Sequence, residues 1–218
     1  MGDSYSIQDG FQLGVPSLVC RWRLQNRKLP MANRHLRALG QRRVNGGFVS
    51  NELVAWAKQH IEWTLEDGAA DYPDGVLMIL IDENGQAAMS VGPFHELERR
   101  SLNHLIRRAD DARRERDKTG VAPECLWAVK GDELIMDLPY EAHPSGASTL
   151  VNDIARTIGM PVRRGDDLFL SVANRQEKFD EVFLVSDEYG VVPASDMGGV
   201  RAHKYAGAYQ RLLMSTKK

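Results

Sequence analysis

The run Asp180-Glu-Val-Phe-Leu-Val-Ser-Asp-Glu-Tyr-Gly-Val-Val-Pro-Ala194 constrains the fold more than any other part of this chain. Two apolar stretches, Val182–Val185 and Val191–Val192, flank a polar turn, which predicts two short buried strands. Two more hairpins are written the same way. Val76–Asp82 is a continuous apolar run, Glu83-Asn-Gly-Gln86 carries the Asn-Gly turn signature, and Ala87–Val91 returns. Leu126–Lys130 and Glu133–Leu138 flank Gly131-Asp132. Pro16–Arg23 and Met160–Val162 read as further strands.

Helical spacing covers Asn33–Arg43, Asn51–Leu65, Ser101–Arg116, Ser148–Ile158, Asp167–Glu177 and Ala206–Met214. In the second of these, Leu53, Trp56, Ala57, His60, Ile61 and Thr64 form one stripe, with Asn51 as the expected N-cap. In the third, Arg107, Arg108, Arg113 and Arg114 lie among acidic residues on a solvated face. Strands and helices intermix without βαβ alternation, which predicts an α+β fold. Gly92-Pro93 punctuates the chain and separates an N-terminal α/β domain, 1–92, from a C-terminal domain, 98–218.

Several functions are excluded at this level. With 218 residues and a net charge of −2, the chain offers no global electrostatic case for nucleic acid. No apolar run approaches the roughly 18 residues that span a membrane. The first ten residues lack a basic region followed by an apolar core, so a cytoplasmic protein is expected. Met1-Gly2 with Ser6 fits a myristoylation pattern only loosely, and no second anchor accompanies it. Cys20 and Cys125 have no metal spacing and read as reduced core cysteines. No GxGxxG, Walker A or HExxH motif is present.

A series of motifs then falls in one order along the chain: Asp9-Gly-Phe11, Leu18–Arg23, His35-Leu-Arg-Ala-Leu39, Arg100-Ser-Leu-Asn103, Leu126–Pro139, Ser145-Gly-Ala-Ser148 and Asp180–Ala194. Together they resemble the class IV aminotransferases, the fold-type IV pyridoxal phosphate (PLP) enzymes that include aminodeoxychorismate lyase. The match is strongest from Leu126 onward. The resemblance implies a D-amino acid aminotransferase-like architecture, with a smaller N-terminal domain and a C-terminal pseudo-barrel, and a homodimer.

Residue by residue, the resemblance also implies altered cofactor contacts. The family lysine falls on Arg100, and a guanidinium is not a workable Schiff-base amine. No lysine lies between Lys58 and Lys118. Lys118 is in a polar loop and Lys130 beside a hairpin turn. The family's phosphate-binding arginine falls on Ala38, with Arg34, Arg37 and Arg42 pointing elsewhere around the helix. Its phosphate-binding threonine falls on Asp187, whose carboxylate would repel a phosphate. Ser148 keeps a hydroxyl, equally explained as an N-cap. The hairpin that carries the glutamate of the pyridine nitrogen is missing, with Glu124 the nearest carboxylate.

The expectation is therefore a class IV-like protein with no cofactor, acting as a PLP-independent enzyme or binding protein on a small amino or carboxylate compound. Arg100, His104, Asp187, Tyr140 and His143 are the candidate catalytic residues, and Ser148 would contact a phosphate if one is bound. Arg100 could pair with Asp187 or bind a carboxylate, and His104 or His143 could move a proton. A PLP-dependent aminotransferase or lyase, and a non-catalytic partner subunit, are the alternatives.

Overall fold

The structure is a computed structural model that describes residues 12–165 and 168–215. Asp9-Gly-Phe11 and Asp167, the expected helix start, lie outside the described residues. Two sheets organise the chain, and the α+β class is as expected.

The first sheet has the order β1-β4-β5 and is antiparallel. It comprises β1 (Pro16–Arg23), β4 (Val76–Asp82) and β5 (Ala87–Gly92). Along β1, Leu18, Cys20 and Trp22 turn inward, which puts Arg21 and Arg23 on the opposite face. Two helices, α1 (Ala32–Leu39) and α2 (Asn51–Gly68), complete this core. Ser50, not Asn51, caps α2: its backbone is extended and its Oγ accepts the Leu53 N–H at 3.2 Å. The Asp82 carboxylate closes the β4–β5 turn by accepting N–H bonds from Gly14, Asn84 and Gln86 at 2.8–2.9 Å.

Between α1 and α2 the chain forms a small ribbon, β2 (Arg43–Val44) with β3 (Gly47–Phe48), where the expected helix was to run on to Arg43. The Asn45-Gly46 pair, at φ of 51° and 80°, sets the turn and ends any helix before it.

The second sheet has the order β10-β9-β6-β7-β8. Its strands are β6 (Glu124–Lys130), β7 (Glu133–Asp137), β8 (Val162–Gly165), β9 (Glu181–Ser186) and β10 (Gly190–Pro193). Only the β7–β8 pair is parallel. β8 starts two residues later than expected. Both faces are covered, which explains the unbroken apolar runs of β6 and β9. On one face, Trp127, Phe183 and Val185 pack against α4 (Gly146–Thr157) and α6 (Val200–Met214). On the other, Leu126, Ala128 and Leu184 pack against α3 (Leu102–Thr119) and α5 (Leu168–Ala173). Trp127, Phe183 and Tyr205 stack in series, with ring centroids 5.9–6.1 Å apart.

The two sheets meet along β1 and the β9–β10 turn. Arg23 N–H donates to the Asp187 carbonyl at 3.2 Å. Arg21 grips Glu188 bidentately, with Nε–Oε2 2.6 Å and Nη2–Oε1 2.7 Å. This junction positions everything that follows.

Candidate functional site

Asp187 sits at the centre of the junction and is 4% exposed. Its Oδ1 accepts the Ala147 N–H at 2.8 Å. Ala147 is in the first turn of α4, where amides lack partners within the helix and the dipole favours negative charge. The chain thus places its own carboxylate where this helix would hold an anion. Oδ2 faces His35 Nδ1 at 3.7 Å, and the buried imidazole lies flat on Trp22, with centroids 4.9 Å apart. Gly146 makes room for this ring, since a Cβ there would stand 2.6 Å from Nδ1.

Ser148 is not the N-cap of α4. Ser145 is: its Oγ accepts the Ser148 N–H at 3.2 Å. The Ser148 hydroxyl contacts Ser145 Oγ at 3.2 Å and Cys125 Sγ at 3.3 Å. Burial pushes the Cys125 thiol up to about 12, against the opposing pull of Ser148. Burial likewise pushes Cys20 up to about 11, opposed by Arg42. Both are free, buried thiols without the thiolate character of a nucleophile. Arg42 is buried too, and its Nη1 is bonded to α3, 2.7 Å from Glu115 and 3.3 Å from Thr119.

Arg100 is elsewhere. It is exposed, and among the described residues its side chain makes no ion pair, so of the two roles open to it the pair with Asp187 is not formed. The physical reason is that Asp187 turns inward to α4, while Arg100 lies on the 93–101 connection, with its carbonyl accepting the Ser195 N–H at 2.8 Å. The Arg100 side chain instead lines a cleft of about 300 Å³ with Arg23, Phe94, Glu96, Tyr189 and Gln210. Here the guanidinium of Arg23 lies over Phe94, 3.3 Å from the ring centroid. Its Nη1 is buried with no partner among the described residues. Burial lowers the Arg23 pKa, against the pull of Asp74, Glu96 and Glu188.

A second ion pair backs the cleft wall. Arg108 holds Glu124 with Nε–Oε2 3.2 Å and Nη2–Oε1 2.5 Å, and lies over the Tyr189 ring. Burial raises the Glu124 carboxyl above its ordinary range, and Arg108 opposes the rise.

The remaining candidates do not converge. His104 is half-buried on α3 outside the cleft lining, its pKa lowered by burial and by Arg108, Arg107 and Arg99. Tyr140 is 74% exposed, and its carbonyl accepts from Arg164. His143 is exposed and lines a separate pocket beside α1. Of the six candidates, only Asp187 and Ser148 share a site. Sequence reasoning missed Arg23 and His35. The alternation along β1 carried the signal for Arg23, since a charge beside Trp22 faces away from that core.

Among the described residues, no cluster of His, Cys, Asp and Glu is arranged to hold a metal ion, and no helix is long and apolar enough to cross a membrane. No family model matches this sequence, and no curated protein matches it. Solved structures do. A putative 4-amino-4-deoxychorismate lyase from Legionella pneumophila is 12% identical, covers 94% of this chain and 97% of its own, and superposes with a TM-score of 0.60. A hypothetical aminotransferase from Mycobacterium tuberculosis, in its PLP-bound form, is 12% identical over 97% of this chain and 96% of its own, with a TM-score of 0.61. An aminotransferase from Brucella abortus bound to PLP is 17% identical over 95% of each chain, with a TM-score of 0.54.

These neighbours correct one expectation. The sequence predicted no cofactor, whereas solved structures of the same fold hold PLP, and the Mycobacterium protein is also known with PMP and alpha-ketoglutarate. The residues of this chain do not fit PLP in the way the resemblance implies: position 100 offers a guanidinium in place of an amine, and Asp187 fills the anion seat of α4. At these identities the likeness is one of fold, and the fold is that of the class IV aminotransferases and aminodeoxychorismate lyases.

Proposed function

We propose that this protein binds and acts on a small carboxylate-bearing or amino compound in the cleft between Arg23, Arg100 and Tyr189. The observation that carries this reading is the pair of arginines. One is exposed without a counterion among the described residues, and the other has a buried Nη1 without an acceptor. A buried donor left unpaired costs about 1–3 kcal/mol, so the Arg23 fork is held at the cleft wall with unused hydrogen-bonding capacity. Phe94 fixes the plane of one guanidinium, which favours bidentate capture. The cleft volume suits a metabolite of modest size.

PLP, which the neighbours hold, is the cofactor to expect of this fold. Arg100 and Asp187 do not offer it the attachment and phosphate contacts that the resemblance implies. The neighbours favour a second reading, in which other residues hold PLP for a transferase or lyase reaction. A homodimer is also part of this proposal.

Calorimetric titration with alpha-ketoglutarate tests the main reading. Wild-type protein binds it, Arg23→Ala weakens binding by about 2 kcal/mol, roughly thirtyfold in Kd, and Arg100→Ala by about tenfold. Binding that ignores both substitutions, or no binding at millimolar ligand, sinks the proposal. A visible absorbance band on adding PLP, lost on borohydride treatment, would move the assignment to the second reading. Light scattering reports the dimer.

A further inference from the structure

A second pocket, of about 270 Å³, shares no residue with the arginine cleft. Arg34, Arg37 and Gln41 reach it from α1 and the turn after it, His143 from the loop before α4 and Thr149 from that helix's first turn. Ala38 and Pro144 are its apolar lining residues. No carboxylate lines it. Helical spacing sets Arg34 and Arg37 one turn apart on the same side, where like charges repel. Only one of them is neutralised: Arg34 Nη2 is 2.8 Å from Asp153 Oδ2. Arg37 donates its Nε to the Asn33 carbonyl at 3.1 Å and makes no ion pair among the described residues. That bond holds the side chain still while leaving both terminal nitrogens of the fork available.

A concave surface with two guanidinium groups, one of them paired with Asp153 behind it, an imidazole, an amide and a hydroxyl, and no carboxylate in its lining, is complementary to a compact oxyanion. We propose that this pocket binds a phosphoryl group, either free phosphate or the phosphate of a small phosphomonoester. Arg37 is the principal contact, and Arg34, Gln41 and His143 complete the shell. The site is separate from the seat on α4, which Asp187 occupies.

The test is calorimetric titration at fixed ionic strength with inorganic phosphate and, separately, with glycerol phosphate. Arg37 is exposed and bonds only to its own helix, so Arg37→Ala keeps the fold, which its melting curve verifies. We expect its Kd for both ligands to rise at least about tenfold. Arg23→Ala and Arg100→Ala bind as wild type does, which separates this site from the proposed cleft. Tighter binding of the ester marks a phosphorylated metabolite as the occupant, and equal binding marks free phosphate. No binding at millimolar concentrations, an unchanged Kd in Arg37→Ala, or loss of binding in Arg100→Ala overturns the proposal.

Discussion

Removing the Asp187 carboxylate should open the first turn of α4. In Asp187→Ala, the Ala147 N–H loses its acceptor at 2.8 Å in a buried place. A hydrogen bond to a charged group contributes about 1.5–3 kcal/mol, and a carboxylate at a partly buried helix N-terminus up to about 2 kcal/mol. Relief of burying a charge offsets part of this, leaving a net loss of about 2–4 kcal/mol. For a chain of this size, that lowers Tm by about 4–16 °C. Asp187→Asn keeps an oxygen for Ala147 and loses only the charge, so it is the milder change. Formate has the shape and charge of the missing group. At about ten times its Kd it should return about 1.4 kcal/mol to Asp187→Ala. Thermal melts of the three proteins, with and without formate against chloride, decide the matter. Asp187 does not stabilise α4 in this way if Asp187→Ala is as stable as wild type, if Asp187→Asn is the worse variant, or if formate lifts all three equally.

Other substitutions examine the same junction. Gly146→Ala drives a Cβ to 2.6 Å from the buried His35 ring and should cost about 1–3 kcal/mol in urea unfolding, with the loss removed if His35 is also replaced by a small residue. Arg108→Ala strands the buried Glu124 carboxylate and should cost about 3–5 kcal/mol near neutral pH. Because the folded carboxyl already lies above its unfolded value, Glu124 takes stability away as pH rises from the unfolded pKa through the folded one. Loss of Arg108 raises the folded value further. The gap between variant and wild type should therefore widen from mildly acidic to neutral pH in denaturation curves, and a constant gap would contradict the assignment.

Much of the frame was legible because its signals are local. Val76–Asp82 is a strand with the predicted bounds, and the turns after it and after Lys130 lie where Asn-Gly and Gly-Asp put them. Turn chemistry and the period of two act over a few residues, so one sequence carries them. The caps were misplaced by one and three residues, at Asn51 for Ser50 and Ser148 for Ser145. Adjacent polar residues all qualify as caps by type, and only backbone dihedrals choose among them.

What the sequence by itself determined is the order of the main strands and helices, though not the β2–β3 ribbon, the buried character of β6 and β9, and the presence of an acid at position 187 where the resemblance implies a hydroxyl. Tertiary structure alone decided what that acid does. Asp187 meets Ala147 across 40 residues, and Glu188 meets Arg21 across 167. The first pairing depends on how α4 packs beside the β9–β10 turn and the second on how the two sheets dock, and no local period encodes either. The same docking left Arg100 facing an open cleft beside Arg23, while the anion seat of α4 closed over the chain's own carboxylate.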